Sequence, residues 1–350
     1  MSSSPVQSSS QEGAGAPAPS QLLLQLSTGY MPSACLYAAA QLKIADAISE
    51  SPKSTADLAR LAGGVNEGAL YRALRALAGV GVFTEVAPRT FANTPASDLL
   101  RQGVPGSVRD IVLWLTNPLH LRVFAEFDHS ISTGGTAIKK LTGHEAFEYF
   151  GQDAPTAAVF HAAMTNFSSL FLEPVVTAYD FGSLGTLADI GGGHGYLLTA
   201  ILQKHPGLRG IVFDLPDVVK GAQPRIDSLG LGSRCEAAGG SFFERVPAAD
   251  TYMMKSIIHD WADDKSVAIL KNCAASMRSP TGKVLLIELT VNAGNEGDLA
   301  KWIDLEMLTM AGGKERTEAE FAALFTKAGL RLERVVRTQS PYCVIEAVKA

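Results

Sequence analysis

Cysteine is scarce in this sequence, long apolar runs are absent, and the first basic residue comes late. Four cysteines in 350 residues, without any CxxC spacing, argue against a disulfide scaffold or a zinc knuckle. Apolar runs such as Tyr196–Leu202 fall far short of the roughly 20 residues that a membrane-spanning helix needs. Because the first Lys or Arg is Lys43, we expect no signal peptide and no transit peptide. These absences favour a cytoplasmic protein without a membrane partner.

Positive charge is not in excess either. The formal net charge is −5 and the sequence pI is about 5.8, so the chain lacks the electrostatic footprint of a nucleic-acid-binding protein. Hydrophobic residues make up 47% and charged residues 19%, a balance typical of a globular protein with a sizeable core. At about 150 residues per domain, the length indicates roughly two domains.

The first half of the chain is predicted to be mostly helical. Residues 1–20 are rich in Ser, Gln, Gly, Ala and Pro, and we expect a disordered tail there. Over 21–110, capping residues at Ser54 and Asn66 predict two helices, and a hairpin follows around Pro88 and Arg89. This order of helix, helix and hairpin is typical of a winged-helix domain. A further helical region is predicted over 111–180.

After Gly185 the pattern changes to short β-rich runs that alternate with helical stretches. This alternation predicts an α/β fold over 181–350, a Rossmann-like doubly wound and mostly parallel sheet with helices on both faces. Two final strands predict an antiparallel edge. The predicted strands are 186–190, 210–214, 250–254, 283–288, 330–337 and 342–348, and the predicted helices are 195–204, 216–228, 263–278 and 317–328.

A glycine loop between the first strand and its helix is the sharpest motif. It runs from Asp189 to Gly195 with GxGxG spacing, and glycines here allow a tight turn and a close approach to a cofactor. Tyr196 stands where a dinucleotide fingerprint has its third glycine, and the spacing is not that of a P-loop. Asp214 ends the next strand, where a carboxylate can bind ribose hydroxyls. The residues alone leave nicotinamide cofactors and S-adenosylmethionine both open.

Four motifs occur in one order: Leu187–Gly195, Phe213–Pro216, Met254–Trp261 and Gly312–Thr317. Together they resemble the S-adenosylmethionine-dependent O-methyltransferases of the caffeic acid type, from about residue 21 to the C-terminus. The resemblance implies an enzyme of secondary metabolism that methylates an aromatic hydroxyl of a small molecule and releases S-adenosylhomocysteine. It also implies a homodimer formed through 21–110, an acceptor pocket lined by 111–180, and no metal.

The resemblance further implies a catalytic group of His259, Glu288 and Glu315, with His259 as the general base. A phenol with a pKa near 10 and a histidine near 6.5 make the proton transfer uphill by about 5 kcal/mol. A sulfonium charge about 5 Å away would offset roughly 3 kcal/mol of this cost. A single histidine is therefore an adequate base without a metal.

Two further sets of residues follow from the resemblance. Ser241 stands where the family often has an acidic residue facing the adenine, and this departure leaves its contact with the adenine open. The cofactor-binding residues implied are Asp189, Gly191, Gly193, Asp214, Leu215, Ser241, Phe242 and Lys255. The acceptor-binding residues implied are Phe160, Met164, Asp260, Met307 and Met310.

Three alternatives compete with this interpretation. A metal-dependent methyltransferase would use carboxylates such as Asp263 and Asp264, but these better explain the start of the following helix. A DNA-binding regulator that senses S-adenosylmethionine would read DNA with the second capped helix, which offers only Arg72 and Arg75 as basic residues. A relative that methylates nitrogen is the third. The acceptor itself, and which of its hydroxyls is methylated, cannot be read from these residues.

Overall fold

The computed structural model describes residues 18–350, so most of the tail predicted over 1–20 lies outside the described residues. Pro19 and Ser20 already belong to the first helix. The chain forms two compact units, with the boundary between Arg101 and Gln102. None of the helices in the described part of the chain is both long and apolar enough to cross a bilayer.

The first unit has the predicted order of helix, helix and hairpin. Ser54 and Asn66 cap their helices, accepting from the backbone N–H groups of Asp57 and Ala69. The hairpin strands join a short third strand in an antiparallel sheet of order β1-β3-β2. The elements are α1 (Pro19–Ser27), α2 (Tyr30–Gln41), α3 (Ile44–Ala47), β1 (Lys53–Ser54), α4 (Thr55–Leu61), α5 (Glu67–Gly79), β2 (Phe83–Ala87), β3 (Thr90–Asn93) and α6 (Pro95–Asp98).

Helix α1 differs from the other long helices of this unit because none of its residues is buried. Leu23 and Leu24 are 65% and 67% exposed, and Leu22 and Leu26 are exposed as well. A contiguous apolar surface of this kind is typical of an interaction site.

The second unit begins with helices and continues into the sheet. Its helices are α7 (Arg109–Leu115), α8 (Pro118–Ala125), α9 (Phe127–Thr133), α10 (Ala137–Thr142), α11 (Ala146–Gln152), α12 (Ala154–Ala178), α13 (Tyr196–Lys204), α14 (Pro216–Val219), α15 (Ala222–Ser228), α16 (Asp263–Ser276), α17 (Leu299–Glu306) and α18 (Glu318–Lys327). Its strands are β4 (Thr186–Ile190), β5 (Arg209–Asp214), β6 (Cys235–Gly239), β7 (Thr251–Lys255), β8 (Lys283–Leu289), β9 (Leu330–Arg337) and β10 (Tyr342–Lys349).

The sheet is doubly wound, as predicted. Its order is β6-β5-β4-β7-β8-β10-β9, and only the pairs that involve β10 are antiparallel. The connection reverses direction between β4 and β7, so a crevice forms at the carboxyl ends of these two strands. Apolar cores cover both faces, one including Leu198 and Ile201 and the other including Ile269 and Phe321.

Two details of the second unit differ from the sequence-based expectations. Strand β6 was not expected, because Cys235–Gly239 is short and rich in Ala and Gly, and its pairing with β5 is a tertiary effect. The single helix predicted over 216–228 is two helices, α14 and α15. Pro224 explains the break, because its ring would clash with the carbonyl of Lys220 in a continuous helix.

Candidate active site

The glycine loop lies at the reversal point of the sheet, between β4 and α13. Gly191, Gly193 and Gly195 all have positive φ, so a side chain would be strained at each of them. A Cβ on Gly191 would lie 2.4 Å from Cδ1 of Ile257, while the Cβ position of Gly193 faces open space. The backbone N–H groups of Gly191 and Gly192 donate to the carbonyl of Phe213, which fixes the loop against β5.

Asp214 ends β5 directly beside this loop. Its carboxylate accepts hydrogen bonds from the backbone N–H groups of Gly193, at 2.8 Å, and Leu215, at 2.7 Å. Burial raises the pKa of Asp214, and these two hydrogen bonds oppose that effect. A carboxylate has about four lone-pair sites, so acceptor capacity remains for ribose hydroxyls next to the open space at Gly193.

Two more of the predicted cofactor residues are charged groups at the ends of β4 and β7, where Asp189 is buried and Lys255 is half-buried. Burial raises the pKa of Asp189 to about 7, and the nearby charge of Asp214 adds to the effect. Burial lowers the pKa of Lys255 to about 8, against the opposing charges of Glu288 and Asp189. The Lys255 ammonium lies 5.0 Å from the centre of the Tyr342 ring.

The remaining predicted cofactor residues follow β5 and β6. Leu215 is exposed at the end of β5, where it is free to cover a flat ring. The Ser241 hydroxyl accepts from the backbone N–H of Phe243 at 3.3 Å. The Phe242 ring lies 6.1 Å from that of Trp261, and Asn272 holds the backbone carbonyl of Phe242. The rings of Phe242, Phe243 and Trp261 thus form a small aromatic group that follows β6 and the turn of His259.

The three predicted catalytic residues come together although they are far apart in sequence. His259 lies in a 3₁₀ turn, Ile258–Asp260, that follows β7. Its Nδ1 is 2.7 Å from Glu315 and 3.8 Å from Glu288. Its Nε2 is 3.5 Å from Asp260, one of the predicted acceptor residues. The ring is therefore surrounded by three carboxylates.

Glu288 is anchored by the backbone of the same turn. One of its oxygens accepts from the N–H groups of Ile257 and Ile258, at 3.0 and 2.9 Å. The other oxygen of Glu288 and one oxygen of Glu315 are buried without a hydrogen-bond partner among the described residues. Uncompensated acceptors of this kind are costly in a folded core and are found at functional sites.

The carboxylates change the acidity of His259 in a way that the sequence did not reveal. Burial alone lowers its pKa, but the charges of Glu288, Asp260 and Glu315 outweigh burial and raise the pKa to about 10. Burial raises the pKa of Glu288 to about 7 and that of Asp260 to about 6. His259 is therefore a stronger base than the ordinary histidine assumed above, and proton transfer from a phenol would cost less than that assumption gives.

Donor atoms of His259, Glu288 and Glu315 lie within 4.8 Å of one another, close enough for a metal ion. Two of these donors, however, already face each other at hydrogen-bonding distance, and Glu288 is bound to backbone N–H groups. Asp263 and Asp264 begin α16, as predicted. The Asp263 carboxylate pairs with Arg316 at 2.9 Å.

Arg316 was not singled out by the sequence, and it is the buried residue that holds the turn of His259. Its side chain is fully buried and donates to the carbonyls of Ile258, at 3.0 Å, and Trp261, at 2.8 Å. The backbone N–H of Lys314 donates to the His259 carbonyl at 2.9 Å. The only signal in the sequence was the position of Arg316 inside the Gly312–Thr317 motif.

The predicted acceptor residues mostly share one apolar cluster. Phe160, Met164 and Met310 pack together with Trp114 and neighbouring aromatic side chains, and Met307 is buried beside them. Phe147 stacks on Trp261 with ring centres 6.2 Å apart and also meets Phe160 at 6.2 Å. An aromatic wall therefore runs from the turn of His259 to Trp114.

Comparison with known proteins agrees with this architecture. The O-methyltransferase domain model matches residues 124–331, and the O-methyltransferase dimerisation domain model matches residues 24–103. The chain therefore belongs to the O-methyltransferase family, and it is an S-adenosylmethionine-dependent methyltransferase.

Individual relatives are similar over nearly the whole chain. A phenazine O-methyltransferase of Lysobacter antibioticus is 41% identical over 95% of this chain and 97% of its own. An 8-amino-8-demethylriboflavin N,N-dimethyltransferase of Streptomyces davaonensis is 32% identical over 93% and 94%. A solved O-methyltransferase of neocarzinostatin biosynthesis, in complex with S-adenosylmethionine and 2-hydroxy-5-methyl naphthoic acid, is 33% identical with a TM-score of 0.80, covering 96% of this chain and 100% of its own.

The contacts of Arg316 generate the first prediction. Arg316→Met should lower kcat by about 100-fold, because a displacement of roughly 1 Å at a reacting group costs that much. Affinity for S-adenosylmethionine, measured by calorimetry, should change little. Arg316→Lys should restore only part of the rate, since an ammonium cannot reproduce the guanidinium fork. Arg331→Met, at an exposed arginine, is the matched control, and wild-type kcat in folded Arg316→Met would contradict the prediction.

The electrostatics of His259 generate the second prediction. Three carboxylates raise the pKa of His259, so the fraction of neutral His259 grows as the pH rises. We therefore expect kcat/KM for the methyl acceptor to increase through the neutral and alkaline range. Glu315→Gln removes one charge and should move this midpoint to lower pH, by roughly one unit or more. The plateau should fall as well, because the ring loses an orienting partner. The comparison uses one acceptor for all variants, with Glu318→Gln as control, and an unshifted midpoint would refute the assignment.

Proposed function

We propose that this enzyme transfers the methyl group of S-adenosylmethionine to a hydroxyl of a small phenolic or polycyclic aromatic metabolite, with His259 as the general base. The observation that carries this proposal is the position of His259, at the end of β7 beside the glycine loop with Glu315 on its Nδ1. The relatives named above act on, or are bound to, fused-ring compounds according to their names. A fused aromatic acceptor also suits the wall between Trp261 and Trp114.

The hydrogen bond between His259 and Glu315 defines the role of each ring nitrogen. A carboxylate facing Nδ1 at 2.7 Å favours the tautomer with hydrogen on Nδ1. The lone pair of the neutral ring then lies on Nε2, which would take the proton of the acceptor hydroxyl. Glu315 and Glu288 stabilise the imidazolium that results, as a carboxylate does in other histidine-dependent sites.

The cofactor fits the residues around the glycine loop. When bound, S-adenosylmethionine supplies a methyl group on a positively charged sulfur. Asp214 would bind its ribose hydroxyls, Gly191 and Gly193 would allow its close approach, and Leu215 and Phe242 would cover its adenine. Asp189 and Lys255 would supply the charged groups near the glycine loop. Ser241 would donate a hydrogen bond from its hydroxyl to the adenine or accept one from it.

Methylation of nitrogen is the second candidate, because one relative bears the name of an N,N-dimethyltransferase. An amine needs no deprotonation before it attacks when it is already neutral, so His259 would matter less. The DNA-binding alternative is supported by the winged-helix order of the first unit, but α5 offers only the exposed Arg72 and Arg75 for phosphate contacts. We also propose that the reaction needs no metal and that the enzyme is cytoplasmic. All four cysteines are free thiols, which is compatible with a reducing compartment.

The third prediction tests the proposed function directly. His259→Gln should lower turnover of a hydroxyarene such as 2-naphthol by about 10²–10⁴, the usual contribution of a general base. The affinity for S-adenosylmethionine should stay nearly unchanged. The assay uses labelled S-adenosylmethionine with EDTA, and 2-naphthylamine serves as the matched nitrogen acceptor.

Each arm of that assay can fail separately. Transfer that stops with EDTA and returns with Mg²⁺ would refute the metal-free reaction. Faster transfer to the amine, equal in wild type and His259→Gln, would establish the nitrogen alternative. His161→Gln, at an exposed histidine, is the control for loss of an imidazole.

We also propose that the enzyme is a homodimer through its first unit. The exposed leucines of α1 carry this proposal together with the match to a dimerisation domain at residues 24–103. A surface with four adjacent leucines is energetically unfavourable in water, and burial against a second copy removes it.

The fourth prediction concerns this assembly. The double variant Leu23→Glu and Leu24→Glu should sediment as a monomer at micromolar concentration, because two charges would be buried in the apolar interface. The wild type should sediment as a dimer. Ile131→Glu, at an exposed isoleucine of the second unit, is the control that should remain dimeric. A dimeric double variant would exclude α1 from the interface.

A further inference from the structure

A second histidine–glutamate pair lies inside the apolar cluster of the predicted acceptor residues. His120 on α8 and Glu306 at the end of α17 meet at 2.7 Å between Nε2 and a carboxylate oxygen. The two residues are 2% and 8% exposed, and 186 positions separate them in the chain. Among the residues that the structure describes, this pair and the cluster around His259 are the buried ion pairs of histidine.

The hydrogen bonds of His120 indicate its charge. Its Nδ1 is 3.2 Å from Oδ1 of Asn117, and that oxygen also accepts the backbone N–H of His120 at 2.9 Å, so it is an acceptor. Both ring nitrogens therefore face acceptors, an arrangement that suits the doubly protonated ring. Glu306 is then an ionised carboxylate with one oxygen bound to His120 and further lone pairs available.

Such a pair contributes little to folding. Desolvation of two charges offsets most of their attraction, and well-packed apolar residues are often as stable in their place. The side chain of Glu306 also keeps 11% of its surface accessible, against 3% for His120. Glu306 is thus a partly accessible acidic side chain next to an apolar cluster.

The position of the pair connects it to the predicted acceptor pocket. The ring of His120 meets Trp114 edge-on with ring centres 4.5 Å apart, and Trp114 meets Phe160 at 5.1 Å. Glu306 directly precedes the wide helical turn Met307–Ala311, which contains both methionines assigned to the pocket. The chain then continues through Gly312 to Glu315, the partner of His259.

We infer that Glu306, oriented by His120, is a specificity-determining residue that accepts a hydrogen bond from a second O–H or N–H group of the acceptor. The inference rests on the proposed function and names its substrate class: fused aromatics with a donor group remote from the hydroxyl that is methylated. A carboxylate accepts a stronger hydrogen bond than a neutral oxygen does. A substrate that lacks the second O–H or N–H group would leave the Glu306 carboxylate without this hydrogen bond.

The fifth prediction tests this contact with two probes that differ by one hydroxyl, 2,7-dihydroxynaphthalene and 2-naphthol. Wild-type kcat/KM, expressed per hydroxyl, should favour the dihydroxy compound by about 10- to 100-fold, the value of one hydrogen bond to a charged group. Glu306→Leu should abolish the preference. The double variant His120→Leu and Glu306→Leu should do the same without leaving a buried unpaired cation.

Two measurements separate failure of this inference from failure of the proposed function. Binding of both probes to the enzyme with S-adenosylhomocysteine, by calorimetry, reports the contact without catalysis. Preferential binding without any methyl transfer would overturn the proposed function and keep the contact. Equal affinities, including no measurable binding of either probe, would overturn the inference, as would a preference retained in the folded double variant. Glu296→Leu, at an exposed glutamate, is the control, and affinity for S-adenosylmethionine should stay within about threefold of wild type in every variant.

Discussion

The hydrogen bond between His259 and Glu315 depends on two backbone segments that hold each other in place. One is the turn that follows β7, and the other is the motif Gly312–Thr317. Gly313 lies so close to this turn that an added Cβ would be 1.9 Å from the His259 carbonyl oxygen. Glycine is therefore required by the contact itself. The strands of the sheet bring the two segments to the same edge, and the side chain of Arg316 joins their carbonyls.

The same arrangement explains how three carboxylates can lie around one histidine. Two of these residues are held by backbone contacts that do not involve the imidazole: the Glu288 carboxylate accepts two backbone N–H groups, and the backbone N–H of Glu315 donates to Asp304 at 2.9 Å. The carboxylate of Glu288 is thus fixed independently of the imidazole, and little reorganisation of this group is needed when the ring becomes charged. The charges of these carboxylates raise the pKa of His259, so the protonation of the ring depends on the other charges in the crevice.

Much of this structure could be predicted because the relevant signals are local. The glycine loop, the caps at Ser54 and Asn66, and the alternation after Gly185 are short-range patterns, and the elements lie within a few residues of the expected bounds. Strand β6 was not predicted because its residues have little β-propensity and form a strand only by pairing with β5. The role of Arg316 was not predicted for a different reason. A basic residue in a charged motif is usually exposed, and Arg316 is buried only because of its tertiary contacts.

The residues that we propose to determine the acceptor are the hardest to predict from sequence, because they meet across the whole second unit. His120 and Glu306 carry no spacing signal, and each alone is an ordinary helix residue. The structure nevertheless places Glu306 on the same stretch of chain, 304–316, as Asp304 and Glu315, and Glu315 is the hydrogen-bond partner of His259. A shift of this stretch that shortened a hydrogen bond between Glu306 and the methyl acceptor would also move Glu315, the hydrogen-bond partner of His259. Our two proposals together imply that recognition of the acceptor and positioning of the base are coupled through this stretch, so variants at Glu306 should change kcat as well as KM.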